Sequence, residues 1–202
     1  MSQAKILTDK DYRRVLLLIA KKKHQARNKC LVAISHLAGL RVGEISSLTL
    51  KHVLNDDGTI KDEVYLSSVE TKGSRGRSVL FPEKLREAIS NYLCVRFKLK
   101  EKDLKVLNQT DTSRALFYSQ KSHVEGFDPN TLSQWFSRIY RESGLTGCSS
   151  HSGRRKFATV LSENSINPKI IQKLLGHRQI QTTFLYVEVS PKSMRTAVEL
   201  LS

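Results

Sequence analysis

Apolar residues recur at helical spacing over most of the chain, so the hydrophobic pattern predicts a mainly α-helical protein. Thr8 is a candidate N-cap for the first helix, whose apolar face would be formed by Tyr12, Val15, Leu16 and Ile19. Further helices, most of them bounded by Gly, Pro or polar residues, are predicted over residues 26–38, 43–48, 82–99, 130–144, 151–162, 168–176, 181–187 and 191–202. Asn130 would cap the helix that it begins.

The pattern changes between residues 55 and 81. A turn signal, Asn55-Asp56-Asp57-Gly58, lies among short runs of β-branched and aromatic residues at 60, 64–66 and 79–81. The basic, glycine-containing segment 71–77 interrupts these runs. We expect a small antiparallel sheet with a basic hairpin, which makes the fold class α+β and mainly α-helical.

Two further segments have apolar residues that we expect to be buried in the core. The helix predicted over 130–144 has a stripe made of Leu132, Trp135, Phe136, Ile139 and Tyr140. We interpret this stripe as core packing rather than as a surface for stacking nucleic-acid bases. Residues 115–118 would form a short buried segment, whereas the stretch from Lys100 to Lys105 is rich in charged residues.

The composition adds an unusual charge to this picture. The 202 residues include 34 Lys or Arg and 19 Asp or Glu, which gives a net charge of +15. Such an excess predicts an anionic partner, with nucleic acid first and an anionic membrane surface second, although a merely basic protein is the simpler alternative. Between residues 138 and 178 there are eight basic and only two acidic residues, which suits a phosphate backbone.

Other classes of protein are disfavoured by what the chain contains. No apolar run is long enough to cross a membrane, and the first apolar run is followed rather than preceded by lysines, unlike a signal peptide. We therefore expect a cytoplasmic location. The three cysteines are widely spaced and form no CxxC pair, which argues against a disulfide framework and a zinc cluster.

Three local patterns could carry chemistry. Residues 39–44 place an Arg before a short helix with a Glu three residues later, and residues 151–154 place a His and an Arg on one helix face. The third pattern is Leu175-Gly176-His177, followed nine residues after the His by Tyr186. Each is weak alone, because such residues are more often a surface ion pair, a structural His or a core Tyr.

Taken together and in order, these patterns resemble the catalytic domain of the tyrosine recombinases, or phage integrase family. AGLRVGEISSL resembles the first Arg box, TKGSRGRSVLFP the Lys-bearing hairpin, HSGRRKFATVL the His-x-x-Arg box and LLGHRQIQTTFLYVEV the His-to-Tyr box. The resemblance implies a catalytic domain over residues 26–190. It leaves an N-terminal helical extension over 1–25 and a C-terminal helix over 191–202, with no separate N-terminal core-binding domain.

The resemblance also implies a role for each matched residue. Tyr186 would be the nucleophile that attacks a DNA phosphate, although a phenol is largely protonated at neutral pH and needs activation. Arg41 and Arg154 would bind the non-bridging oxygens and stabilise the transition state, a task that suits planar guanidinium groups.

Four other matched residues would assist. Lys72 would protonate the leaving 5′-oxygen, and His151 would assist proton transfer at the tyrosine. His177 would hydrogen-bond the scissile phosphate, and Glu44 would orient the first Arg box. The family's chemistry implies a 3′-phosphotyrosyl intermediate and needs no cofactor, no metal and no ATP. One departure is Arg155, where the family often has a His.

The expected partners are double-stranded DNA and, on DNA, other copies of the chain in a homotetramer, with accessory DNA-binding proteins as helpers and no membrane. We expect the segment 191–202 to dock on a neighbouring protomer, the alternative being that it packs on its own domain. Two other functions stay open: a catalytically silent DNA-binding regulator with the same fold, and an enzyme like a type IB topoisomerase.

Overall fold

Helices account for most of the chain, and one β-hairpin is inserted after the fourth helix. The structure is a computed structural model that describes residues 4–71, 76–119, 125–186, 194–195 and 198–199. Its elements are α1 (Asp9–Ala20), α2 (Gln25–Leu37), α3 (Val42–Ser47), α4 (Leu50–Val53), β1 (Glu63–Leu66), β2 (Arg77–Leu80), α5 (Glu83–Phe97), a 3₁₀ helix (Glu101–Gln109), α6 (Pro129–Glu142), α7 (Ser152–Glu163), α8 (Pro168–Leu175) and α9 (Ile180–Phe184). The predicted class, mainly α-helical with a small antiparallel sheet, is confirmed.

Helix α2 lies at the centre of the core. It packs against α1, α3, α5 and α7, and residues 30–36 are all buried. Helix α1 begins as predicted: Thr8 accepts a hydrogen bond from the Asp11 amide, and the Asp11 carboxylate accepts one from the Thr8 amide. The buried face of α1 packs on α2, which ties the start of the chain into the core.

The aromatic stripe of α6 is part of the core, as predicted. Its five members are at most 8% exposed: Leu132, Trp135, Phe136, Ile139 and Tyr140. The predicted N-cap of this helix was wrong. Asp128 accepts hydrogen bonds from the amides of Asn130 and Thr131, because Pro129 occupies the first helical position and the cap must precede it.

Two short elements were not predicted. Helix α4 has only four residues. Most of the charged stretch after α5 belongs to the 3₁₀ helix, in which Leu104 and Leu107 are buried. The predicted buried segment around residue 116 is present, since Leu116 and Phe117 are buried and Ala115 forms a β-bridge with Thr49.

The hairpin brings a basic side chain to the core. Strands β1 and β2 pair antiparallel, with Glu63 opposite Leu80 and Leu66 opposite Arg77. The burial alternates along β2, so Arg77 and Val79 face inward. Residues 72–75, including Lys72, lie outside the described residues, as does the segment 191–202 except for positions 194–195 and 198–199. Among the helices that the structure does describe, none has the length and apolar character needed to cross a membrane.

Candidate active site

A buried carboxylate, Glu44, lies at the centre of the candidate site. It belongs to the first turn of α3, where its Oε2 accepts a hydrogen bond from the Arg41 amide at 2.7 Å. The Arg41 side chain turns back and donates from Nη1 to Oε1 at 3.1 Å. Glu44 is 1% exposed whereas the Arg41 side chain is 23% exposed, so the carboxylate holds the arginine at the edge of the core.

Arg154 reaches the same carboxylate from α7. Its Nη1 lies 4.0 Å from Glu44 Oε2 and donates to the Gly39 carbonyl oxygen at 2.6 Å, while Nη2 donates to the Leu175 carbonyl oxygen at 2.5 Å. Gly39 and Gly176 have φ values of +60° and +62°, so two helix ends turn sharply beside the guanidinium. The carbonyl groups at helix C-termini carry partial negative charge, which offsets the cost of burying this cation.

Arg77 was not predicted as a site residue, although it is among the most tightly bound. Its Nη2 and Nε donate to the two oxygens of Glu44 at 2.9 Å and 3.2 Å, and its Nη1 donates to the Leu174 carbonyl oxygen at 2.6 Å. One signal in the sequence could have indicated its burial: Arg77 is two residues before Val79 and four before Phe81, both of which face the core.

The charges of the cluster perturb one another. Burial lowers the pKa of Arg154 to about 9, and the nearby Arg41 adds to the shift, so Arg154 stays protonated at neutral pH. Burial by itself would raise the pKa of Glu44, but the hydrogen bonds and charge of Arg77, together with the Arg41 amide, leave that pKa below its usual value. Three guanidinium groups thus face one ionised carboxylate, and positive charge remains in excess.

His177 and Tyr186 lie next to this cluster. The Nδ1 atom of His177 is 2.9 Å from Thr183 Oγ1, and burial followed by the charge of Arg154 lowers its pKa to about 4, so the imidazole is neutral at physiological pH. The ring of Tyr186 stacks on that of His177, with centroids 5.6 Å apart and planes 20° from parallel. Tyr186 is half-buried and is the second residue after the end of α9.

Arg155 of α7 and His151, the residue before α7, complete the described site. The guanidinium carbon of Arg155 lies 5.6 Å from the centroid of the Tyr186 ring, and its Nη1 donates to the Ala4 carbonyl oxygen at 2.6 Å. His151 is the N-cap residue of α7; its side chain is exposed, whereas Arg154 one turn later is buried. Within the described residues, no group of three or more His, Cys, Asp or Glu side chains is arranged to hold a metal ion.

Comparison with known proteins identifies the family. The sequence model of the phage integrase family matches residues 5–193. The chain belongs to the phage integrase family.

Curated relatives within this family are recombinases of the Xer type. The chain is 30% identical over 196 residues to tyrosine recombinase XerA from Pyrococcus furiosus, covering 96% of this chain and 61% of that protein. It is 28% identical over 165 residues to tyrosine recombinase XerC from Lactobacillus leichmannii, covering 81% of this chain and 51% of that protein. The chain thus spans about half to three fifths of the length of these relatives.

Solved structures of recombinases share the fold. The crystal structure of XerA recombinase superposes with a TM-score of 0.73 at 22% identity, covering 99% of this chain and 66% of that one. The XerH recombinase bound to its difH substrate in a pre-cleavage complex superposes with a TM-score of 0.69 at 22% identity, covering 98% of this chain and 54% of that one.

The fold of this family brings together most of the residues that the sequence singled out. Five of the seven predicted site residues share one cluster or its border: Arg41, Glu44, Arg154, His177 and Tyr186. His151 is exposed at the start of the helix that carries Arg154, and Lys72 lies outside the described residues. The functional roles of all seven remain predictions.

Proposed function

We propose that this chain is the catalytic part of a site-specific DNA recombinase that cleaves and rejoins strands through a 3′-phosphotyrosyl intermediate. The observation that carries the proposal is the position of Tyr186. Its ring stacks on His177 and lies 5.6 Å from the guanidinium carbon of Arg155, the residue that follows the buried Arg154. A potential nucleophile therefore borders a cluster with excess positive charge, which is what a phosphate diester needs for attack.

The cluster would bind the scissile phosphate. Arg41 is partly exposed, and among the described residues its side chain donates one hydrogen bond, to Glu44, so its other N–H groups can donate to a non-bridging oxygen. Arg154 is held rigidly by two carbonyl groups, which fixes the positive charge where negative charge develops. Neutral His177 can donate from Nε2 to a phosphate oxygen when its Nδ1 accepts from the Thr183 hydroxyl.

The strand-cleavage step would transfer the phosphoryl group without net loss of a phosphodiester bond. The Tyr186 oxygen attacks phosphorus and loses its proton, with His151 assisting that transfer. The bond from phosphorus to the 5′-oxygen breaks, and Lys72 protonates the leaving oxygen. Rejoining is the reverse attack by a 5′-hydroxyl. Because the phosphotyrosyl bond replaces the phosphodiester bond, ligation requires no ATP.

The experiment captures DNA that is covalently linked to the protein, and it does not require the target sequence to be known. Wild-type protein is incubated with a library of nicked duplexes of randomised sequence, the mixture is denatured, and protein-linked strands are recovered and sequenced. We expect an adduct through a 3′-phosphate with wild type and none with Tyr186→Phe. Tyr65→Phe is the matched control, because it removes the hydroxyl of an exposed tyrosine on β1. The Tyr65→Phe variant should form the adduct as wild type does.

Other outcomes identify the alternative functions. An adduct that persists in Tyr186→Phe would show that another residue is the nucleophile. DNA retention by wild type without any adduct would favour a silent DNA-binding regulator. Relaxation of supercoiled plasmid without recombinant products would favour topoisomerase-like activity. We further propose assembly as a homotetramer on DNA, aided by accessory proteins, which light scattering of the complex with the captured duplex would test.

A further inference from the structure

Arg77 differs from the other two arginines of the cluster because its guanidinium donates to both carboxylate oxygens of Glu44. Each of its three nitrogens donates a hydrogen bond, two to Glu44 and one to the Leu174 carbonyl oxygen. Only 9% of the residue is exposed. The Nε–Nη2 edge of Arg77 is therefore occupied by Glu44, so its effect on the site passes through Glu44 and the chain around Leu174.

The contact of Arg77 with Glu44 determines what the carboxylate can do to its other neighbours. Arg77 forms a two-pronged ion pair with both carboxylate oxygens, the strongest geometry for this pair of groups. Arg41 shares one of these oxygens at 3.1 Å, and Arg154 stays 4.0 Å away, beyond hydrogen-bond distance. If Arg77 were absent, Glu44 would be a buried anion whose nearest cations are Arg41 and Arg154.

We propose that Arg77 is a positioning residue that neutralises Glu44, so that Arg41 and Arg154 remain available to bind a DNA phosphate. The proposal deepens the recombinase function and rests on it. Glu44 is needed to hold Arg41 at the start of α3, yet its charge competes with the substrate phosphate for the same guanidinium groups. Arg77 satisfies that charge from inside the protein.

Arg77 also connects three parts of the site. It is the first residue of β2, five residues after Lys72 in the sequence. It also binds Glu44 beside the first arginine and the carbonyl oxygen of Leu174, three residues before His177. Gly176 allows this contact, since a Cβ atom there would collide with Cδ of Arg77. This second role predicts a structural effect of losing Arg77, and the experiment must separate it from the electrostatic effect.

Inorganic phosphate binding separates the two effects without catalysis. The increase in unfolding temperature with phosphate concentration is measured at constant ionic strength. The portion of this increase that is lost in Arg41→Ala is assigned to phosphate bound at the cluster. We expect the cluster's phosphate affinity to fall roughly tenfold or more in Arg77→Met, as for loss of a hydrogen bond to a charged group. Arg27→Met is the matched control, because Arg27 is also buried, binds Asn28 and a backbone carbonyl, and has no contact with Glu44.

The decisive variant removes both charges. In Glu44→Gln/Arg77→Met there is no buried anion left to neutralise, so we expect phosphate affinity to return to that of Glu44→Gln alone. A role confined to holding the hairpin or the end of α8 predicts no such recovery. Unchanged affinity in Arg77→Met, absence of recovery in the double variant, or absence of Arg41-dependent phosphate binding in wild type would each overturn the proposal.

The captured duplex supplies a second readout. Arg77→Met should bind this DNA with a dissociation constant close to wild type, because Arg77 is buried, but should form the covalent adduct roughly tenfold more slowly. If wild type forms no adduct at all, the proposed function fails, while the phosphate measurements still decide the role of Arg77. If wild type forms the adduct and Arg77→Met forms it equally fast, only the role of Arg77 is refuted.

Discussion

Two glycines of the site should respond in opposite ways to alanine. Gly153 and Gly43 are each the second residue of their helix, α7 and α3, so the helical preference for alanine acts on both alike. Their surroundings differ. A Cβ atom at Gly153 would collide with Ser35 Oγ and lie 2.9 Å from Nδ1 of His36, whereas a Cβ atom at Gly43 meets nothing within 4 Å.

The magnitudes follow from this difference. Alanine is favoured over glycine in a helix by up to about 1 kcal/mol, and Gly43→Ala should therefore raise the free energy of unfolding by roughly 0.5–1 kcal/mol. Gly153→Ala gains the same contribution but must displace α7 from α2. His36 cannot yield easily, because its Nδ1 is 2.8 Å from the Val32 carbonyl oxygen. Overpacking of this kind costs about 1–3 kcal/mol, so we expect a net loss of about 1–2 kcal/mol.

Urea denaturation followed by circular dichroism measures both variants against wild type, with the slope checked for two-state behaviour. Gly153→Ala should also slow adduct formation, since it moves the helix that carries Arg154. If Gly153→Ala were as stable as wild type, the close contact between α7 and α2 would be refuted. A destabilised Gly43→Ala would contradict the open space at α3.

Three other changes test the charges and caps described above. Glu44→Gln should lower the free energy of unfolding by about 3–5 kcal/mol in the same urea assay, because it leaves buried arginines without a counter-ion. Burial lowers the pKa values of His177 and His36 to about 4. Because the unfolded chain binds protons first, the free energy of unfolding should have its full value above pH 6.5 and should decrease as the pH falls towards 4. His177→Gln should flatten this dependence in unfolding experiments at stepped pH, and an unchanged slope would contradict the reasoning. Asp128→Ala should lower the free energy of unfolding by about 1 kcal/mol, measured by thermal unfolding. Asn130→Ala should change it by no more than about 0.5 kcal/mol from wild type. Equal losses in the two variants would refute the assigned cap.

Local signals in the sequence were enough to predict most elements. Thr8, with an acid three residues later, marks the start of α1, and glycines mark the ends of α2 and α8. The helical period placed the α6 stripe in the core. Spacing and resemblance to the family selected the arginines, the histidines and Tyr186, because each box is a continuous stretch of chain.

Residues whose environment depends on distant parts of the chain were not predictable in this way. Arg77 looks like one more basic residue of the hairpin, and its burial is decided by Glu44, 33 residues away. Asp128 was overlooked as a cap because Asn130 is equally capable in isolation, and only Pro129 decides between them. The 3₁₀ helix after α5 is hidden by its charged composition, since just two of its leucines are buried.

Residues far apart in the sequence assemble the site, so its parts are synthesised at different times. Arg154 donates to the carbonyl oxygen of Gly39, which precedes it by 115 residues, and Arg154 also lies 4.0 Å from Glu44. On the ribosome, Arg41 and Glu44 emerge long before Arg154 and Tyr186 have been made. A prematurely terminated chain lacks Arg154 and Tyr186 and cannot build the cluster. The proposed strand-cleavage chemistry is thus withheld from incomplete chains and begins only once the last quarter of the chain has joined the first.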